Sequence, residues 1–345
     1  MADVAFVERV WFGDDALART ARLALWPLET GYRLGVGVRE VLYDTGLLAS
    51  HEPALPTVSV GNVSVGGTGK TPVAAWIADG LRQRGACPAI VLRGYGGDEP
   101  EVHRILNPDV PVVVAADRLA GVAAAQRQGA TVAVLDDAFQ HRRVARDVDI
   151  VLVSADRWMP SPRLLPAGPW REPLRAVRRA TLVVVTRKAA SEADADAVNA
   201  ALAHVAPRVP RVTVRLAPEG LVEAGGARRL GLEALAGRTV RVLAAVGDPR
   251  ALVRQLEQGG ARVTADLYTD HHRFTSTEIA RFVRSVPADG LAICTLKDAV
   301  KLAARWPREA PTLWYVSQHV IVERGVGGVD HLLDGLARAR DRTPR

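Results

Sequence analysis

Cysteine is almost missing from this chain: Cys87 and Cys294 are the only two in 345 residues, and they lie far apart. That excludes a disulfide framework and a Cys-x-x-Cys metal site, and it fits a reducing, cytosolic setting. Low-complexity tracts and internal repeats are absent. No uninterrupted apolar stretch is long enough to cross a bilayer as a standard helix. The first residues lack a basic start followed by an apolar run, so no secretory signal is expected. Lysine is scarce as well. Only Lys70, Lys188, Lys297 and Lys301 occur among 45 basic residues. Where arginine is the default cation, a lysine can mark a place that needs a compact ammonium.

What remains is a well-buried globular chain with 48% hydrophobic residues. Its length makes two domains the natural expectation. A net charge of +7 attracts polyanions such as nucleic acid, anionic lipid or a phosphorylated substrate, although an arginine-rich composition alone gives the same figure.

Short β-branched runs recur at Thr57–Val60, Ala89–Leu92, Val112–Ala115, Val132–Leu135, Ile150–Ser154 and Leu182–Thr186. Helical periodicity intervenes at Pro72–Arg84, Arg118–Gln128 and Ser191–Val205. This alternation predicts an α/β fold, a mostly parallel sheet with helices on both faces. After a connector near Arg211–Leu216, a smaller α/β unit is expected, with strands Thr239–Val246, Val263–Leu267, Leu291–Thr295 and Leu313–Val316, and with a closing amphipathic helix at Asp330–Arg340. The expected division is an amphipathic segment over 1–50, a first domain over 51–210, and a smaller domain over 211–345.

The most informative stretch is Gly61 to Pro72. A strand runs into Gly66, Gly67, Thr68 and Gly69, then Lys70 and Thr71, then a helix. Glycines let the backbone bring its N–H groups to an anion; the lysine adds a cation, and the threonine adds a hydroxyl able to bind Mg²⁺. Strand, glycine loop, Lys-Thr and helix form the phosphate cradle of a P-loop NTPase. One position departs from the usual pattern, with Ser64 where glycine is expected.

Further chemistry clusters where strands end. Asp136 and Asp137 follow an apolar strand and can hold Mg²⁺ opposite Thr71. Gln140 lies just beyond them. Arg93 can grip a phosphate, Tyr95 follows it, and Asp98 and Glu99 are adjacent acids expected on a flexible loop. One of these acids can accept a proton from a substrate hydroxyl. His271 and His272 stand beside Asp270, which can tune a histidine's basicity. Arg171 and Glu172 sit in a proline-set loop that either faces the site or is purely structural. Between residues 11 and 49, Trp11, Leu23, Trp26 and Leu34 are interleaved with Arg19, Arg22, Arg33 and Arg39. That mixture suits an anionic membrane interface and equally a helix packed on its own domain.

Taken together, these motifs resemble the tetraacyldisaccharide 4'-kinase (lipid A 4'-kinase) family. They are Gly61–Pro72, Arg93–Gly97, Asp136–His141, Leu164–Pro169, Asp270–His272 and Thr295–Lys301, in the family's order. Leu296 stands where the family usually has glutamate. The resemblance implies transfer of the γ-phosphoryl group of ATP to the 4'-hydroxyl of an acylated glucosamine disaccharide 1-phosphate lipid, with Mg²⁺, at the cytoplasmic face of an inner membrane. It implies that Lys70 and Thr71 hold phosphate and metal, that Asp136, Asp137 or Glu99 completes the metal site, and that Asp98 is the base, helped by His271 or His272. By the same resemblance, Arg93, Tyr95, Gln140, Arg171 and Glu172 would contact substrate, and residues 11–49 would associate with the anionic membrane surface. No nucleic acid and no obligate protein partner are expected. Two rivals are a nucleotide-hydrolysing P-loop switch and a basic nucleic-acid-binding ATPase; the second is disfavoured because the arginines are dispersed and no zinc or RNP-type motif occurs.

Overall fold

A computed structural model describes residues 2–94 and 97–339 of the chain. Two N-terminal helices, α1 (Ala2–Phe12) and α2 (Ala16–Asp44), precede a single large sheet. The first lobe contains β1 (Thr57–Asn62), α3 (Lys70–Gln83), β2 (Pro88–Leu92), α4 (Glu99–Leu106), β3 (Val112–Val114), α5 (Arg118–Arg127), β4 (Val132–Asp136), β5 (Val148–Ser154), β6 (Leu182–Arg187) and α6 (Glu192–Val205). Two long strands, β7 (Arg211–Glu223) and β12 (Leu313–Arg324), carry the sheet onward. Between them lie β8 (Arg229–Leu230), β9 (Thr239–Ala244), α7 (Pro249–Gln258), β10 (Arg262–Leu267), α8 (Ser276–Arg284), β11 (Leu291–Thr295) and α9 (Leu296–Leu302). Helix α10 (Val326–Ala339) ends the described chain.

The strand order is β10-β9-β11-β12-β7-β6-β5-β1-β4-β2-β3, with β8 paired to β7. Pairing is parallel within each lobe apart from the short β8, which runs antiparallel to β7. β7 joins the first lobe in parallel through Arg211–Arg215 against β6, and it runs antiparallel to β12 along its length. The β7–β12 pair reverses the direction of the second lobe. As a result, the carboxyl ends of β9 and β11 point back toward the carboxyl ends of β1, β2 and β4, and the two loop-bearing edges face each other across a cleft.

Burial explains the strand composition. β1, β2, β4 and β5 are buried at every position, as expected for strands covered by helices on both faces. One layer of core packs α3 and α10 on the sheet through Val73, Ile77, Leu81, Val329, Leu333 and Leu336. On the opposite face α6 contributes Val198 and Leu202 beside the fully buried Trp170 loop. The second lobe has its own layers, built on Val240, Val242, Leu252 and Leu256 and on Phe274, Ile279 and Phe282.

Two parts of the chain beyond residue 210 are packed with the first lobe. β7 extends its sheet, and α10 lies on α3, where Arg84 reaches Asp330 at 2.5 Å and Asp334 at 2.6 Å. Asp98 and Glu99 are not on a flexible loop: Asp98 is the N-cap residue of α4 and Glu99 opens the helix. Pro100 explains the difference, since its fixed φ suits a helix's first turn as well as a bend.

Candidate active site

The cleft between the lobes has a volume of about 1180 Å³. Its floor is the loop from β1 to α3. Gly66, Gly67 and Gly69 all take positive φ, which an L side chain adopts only with strain. At Gly67 a Cβ would meet the Asp248 Cβ at 2.4 Å, and at Gly69 it would meet Leu216 Cδ1 at 2.3 Å. The loop is therefore shaped by contacts from β7 and the second lobe as well as by its own turn. Thr68 is locked from beneath: its hydroxyl accepts from Asn62 Nδ2 at 2.8 Å, and its carbonyl accepts from the Thr186 hydroxyl at 2.9 Å. Lys188, just past β6, donates to the Gly67 carbonyl at 2.7 Å. Helix α3 starts at Lys70, so its free N–H groups and positive dipole end aim into the cleft.

Opposite stands the acidic wall. Asp136 ends β4, with Oδ2 at 3.5 Å from the Thr71 hydroxyl and 2.8 Å from His103 Nε2. Its buried Oδ1 accepts no hydrogen bond among the described residues. Asp137 adopts φ 53°, which turns its carboxylate toward Arg171 at 3.0 Å and Lys70 at 3.7 Å. Burial pushes this carboxyl upward, but the charges of Lys70 and Arg171 outweigh it and hold Asp137 below its ordinary value. Glu99 is pushed the other way, by burial first and then by Asp136. An orphaned carboxylate oxygen, a nearby hydroxyl and a second acid that resists ionising form a donor set fitted to a hard divalent cation. Among the described residues no three His, Cys, Asp or Glu could hold a metal unaided.

The second lobe closes over these acids. Asp98 is 4% exposed, and His271 Nδ1 lies 3.3 Å from its Oδ1. His271 has φ 60°, and this left-handed turn sends it to Asp98 while His272 departs elsewhere. His272 stacks on the Tyr268 ring at 4.5 Å and meets Glu278 at 3.1 Å, so it braces the start of α8. Lys297 lies 3.7 Å from Glu99 and 3.2 Å from Asp270. Burial lowers this ammonium's proton affinity, but Asp270, Asp98 and Glu99 together raise it above its ordinary value.

Most of the residues expected from sequence converge here. Gly66, Gly67, Thr68, Gly69, Lys70, Thr71, Arg93, Glu99, Asp136, Asp137, Gln140, Arg171 and His271 all line the cleft. Asp98 lies immediately behind His271. Glu172 is elsewhere, buried and paired with Arg179 at 2.7 Å. Tyr95 falls outside the described residues. Sequence reading missed His103, which is completely buried beneath Asp136, and Arg118, a buried guanidinium pulled below its ordinary pKa by burial and facing the same acids. His103 recurs one helical turn after Glu99, but nothing local announces its partner 33 residues away.

Comparison with known proteins fits this geometry. The family model for tetraacyldisaccharide-1-P 4'-kinase matches residues 21–109 and 97–336. The chain belongs to this kinase family. It is 39% identical to the tetraacyldisaccharide 4'-kinase of Anaeromyxobacter sp. (strain Fw109-5), covering 98% of each chain. It is 36% identical to the kinase of that name from Halorhodospira halophila, over 89% of this chain and 90% of the relative. Among solved kinases of the family, the structure of LpxK from Aquifex aeolicus in complex with ATP superposes with a TM-score of 0.68 at 27% identity. That match covers 93% of this chain and 99% of the other.

Proposed function

We propose that this protein transfers the γ-phosphoryl group of ATP to the 4'-hydroxyl of an acylated glucosamine disaccharide 1-phosphate, the phosphorylation that gives the family its name. The observation that carries the reading is the facing of two machineries across one cleft: the glycine loop with Lys70 and Thr71 on one side, and the Asp98–His271 pair on the other. The loop N–H groups and Lys70 take the nucleotide's phosphates and stabilise the charge that builds during transfer. The sugar oxygen attacks the γ-phosphorus as the bond to the β-phosphate bridging oxygen breaks, and ADP leaves. The hydroxyl proton passes to the Asp98–His271 pair, with His271 at the cleft surface and Asp98 behind it. Thr71, Asp136 and Glu99 would hold Mg²⁺, with Asp137 pairing Lys70 beside them. When bound, that ion neutralises phosphate charge. Arg93, Gln140 and Arg171 are the substrate-side polar groups.

The N-terminal helices supply the membrane side of the proposal. Among the described residues no helix is long and apolar enough to span a bilayer. α2 instead turns Tyr32 and Glu29 toward the protein and leaves Leu23, Leu34, Val38 and Val41 exposed on its other side, with the exposed Trp26 at the border next to Glu29 and the 161–163 loop. Such a stripe, with arginines beside it, suits lying on an anionic surface, here the cytoplasmic face of the inner membrane. We assign the part of 211–345 that lies between β7 and α10 as the unit that closes over 51–210, because the catalytic pair is split between them.

The test is an assay with purified full-length protein, ATP labelled in the γ position, Mg²⁺ and detergent-dispersed tetraacyldisaccharide 1-phosphate. Label moves to the lipid if the reading is right. Hydrolysis with no labelled lipid would point to the nucleotide-driven switch.

A further inference from the structure

All four lysines of this arginine-rich chain converge on the cleft. Lys70, Lys188 and Lys297 line it, and Lys301 lies just behind, with its Nζ buried. The first three have evident partners around the phosphate loop and the acids. Lys301 does not touch the cleft, yet its charge is brought to Asp98, at 3.9 Å from Oδ2 on the side opposite His271.

The anchoring of Lys301 is unusually complete. Asp298, fully buried, accepts from the Ala245 backbone N–H at 3.0 Å and from the Thr295 hydroxyl at 2.7 Å. That fixes the first turn of α9 to the end of β9. One turn later Lys301 Nζ lies 2.8 Å from Asp298 Oδ1 and 5.5 Å from the Phe274 ring centre. The ammonium is thus held in the core of the second lobe and projects at an acid of the first. Asp98 itself is buried, and neither of its oxygens accepts a hydrogen bond among the described residues. An ionised carboxylate in such a place needs charge compensation. His271 and Lys301 provide it at contact range, Lys297 adds to it, and all three come from the second lobe.

We infer that Lys301 is a positioning residue for the phosphoryl transfer: it holds Asp98 in its place behind His271, and it does so only when the second lobe is seated. A buried carboxylate with one ammonium and one imidazole on opposite oxygens has a single favoured orientation. Without the ammonium, Asp98 is free to rotate away from His271 or to draw in water. The compact head suits the site, because a planar guanidinium would not fit as readily between Asp298, Phe274 and Asp98. The inference rests on the functional reading above and extends it to a group outside the cleft.

The experiment compares wild type, Lys301→Met and Lys301→Arg in the full-length protein, using the labelled-lipid assay and the affinity for a fluorescent ATP analogue. Wild-type failure to label lipid would sink the functional reading itself. Given an active wild type, the expected result for Lys301→Met is a fall in kcat of about 100-fold, with KM for lipid and analogue affinity within about threefold. Lys301→Arg is expected to recover at least about tenfold of that loss. Unchanged kcat in Lys301→Met would overturn the inference, as would equal losses of kcat and nucleotide affinity in both variants, which mark a merely structural lysine. If Lys301→Met does not fold, its melting temperature is compared with that of the Asp98→Asn/Lys301→Met double variant. Recovery of folding in the double variant supports the cross-lobe contact; additive damage overturns it.

Discussion

In the first lobe the carboxyl edge of the sheet carries glycines and acids; in the second it carries cations. The first edge presents the loop at Gly66–Gly69, with Asp136 and Asp137 beyond β4 and Asp98 and Glu99 beyond β2. The second presents His271 after β10 and Lys297 and Lys301 on α9, each within 4 Å of an acid of the first. Neither edge is electrostatically complete. Burial pushes Glu99 above its ordinary value, and burial depresses the proton affinity of Lys297 until Asp270 of its own lobe, joined by Asp98 and Glu99 of the first, restores it. On the proposed reading, lobe closure assembles charge as well as shape, and water exclusion follows from the same contact.

The sharpest way to break this division is on the first edge. Lys70→Ala removes the ammonium at the start of α3 and should lower kcat by roughly a thousandfold or more. The melting temperature should hardly move, because Lys70 lines the cleft and is not part of the hydrophobic core. A large loss of melting temperature would mean that the Lys70–Asp137 pair holds the fold instead.

Next comes the second edge. His271→Ala should cost roughly 10²–10³-fold in kcat, as expected for removing a proton acceptor or its relay. His272→Ala should cost less than about tenfold, since that ring is spent on Tyr268 and Glu278. Its signature should be a lower melting temperature, measured by calorimetry, from the weakened start of α8. Reversal of these two outcomes would transfer the catalytic role to His272.

These two neighbouring histidines mark the limit of what was legible from sequence. The strands were legible because buried parallel strands are written as apolar β-branched runs. The phosphate loop was legible because its glycines, Lys70 and Thr71 are consecutive. The choice between His271 and His272 depended on one left-handed φ at His271, which no residue type at that position declares. β7 and β12 proved far longer than the expected Arg211–Leu216 and Leu313–Val316, because Pro218, Gly220, Ser317 and Gln318 interrupt the apolar pattern. The register shift at Ser317/Gln318 lets pairing continue through that interruption. His103 and Arg118 were missed for a different reason: each is explained only by acids that the topology brings from elsewhere in the chain.

The seam between the edges offers a subtler probe. A Cβ at Gly247 would sit 2.3 Å from the Gly67 nitrogen and 2.5 Å from the Gly66 Cα, both rigid backbone. Gly247→Ala should therefore hold the lobes slightly apart without harming either core. The expected result is roughly a 10- to 100-fold fall in kcat/KM, the cost of misplacing reacting groups by about an ångström. Lys188→Ala should act in the same direction and more weakly, since Lys188 holds the Gly67 carbonyl within the first lobe while its 3.9 Å contact with Asp248 crosses the same seam. If Gly247→Ala is as active as wild type, the closed contact is not the reactive arrangement, and the division of labour between the edges loses its physical basis.

The smallest effect concerns neither edge. Trp26 is 59% exposed on α2, bordering the 161–163 loop, whereas the Tyr32 hydroxyl donates to the Arg171 carbonyl at 2.9 Å. Its indole belongs to none of the hydrophobic core clusters, so Trp26→Ser should leave the fold and kcat on detergent-dispersed lipid unchanged. Partitioning onto anionic vesicles should weaken by roughly tenfold, the order expected for losing one interfacial aromatic. Tyr32→Phe provides the contrast on the inner side of the same helix. It should leave vesicle binding intact while loosening Arg171, and through it the Asp137–Lys70 pair. Sedimentation with vesicles and turnover in detergent separate the two faces. If Trp26→Ser lost activity in detergent while still binding vesicles, α2 would be serving the cleft on both sides, and the exposed stripe would need another partner than a membrane.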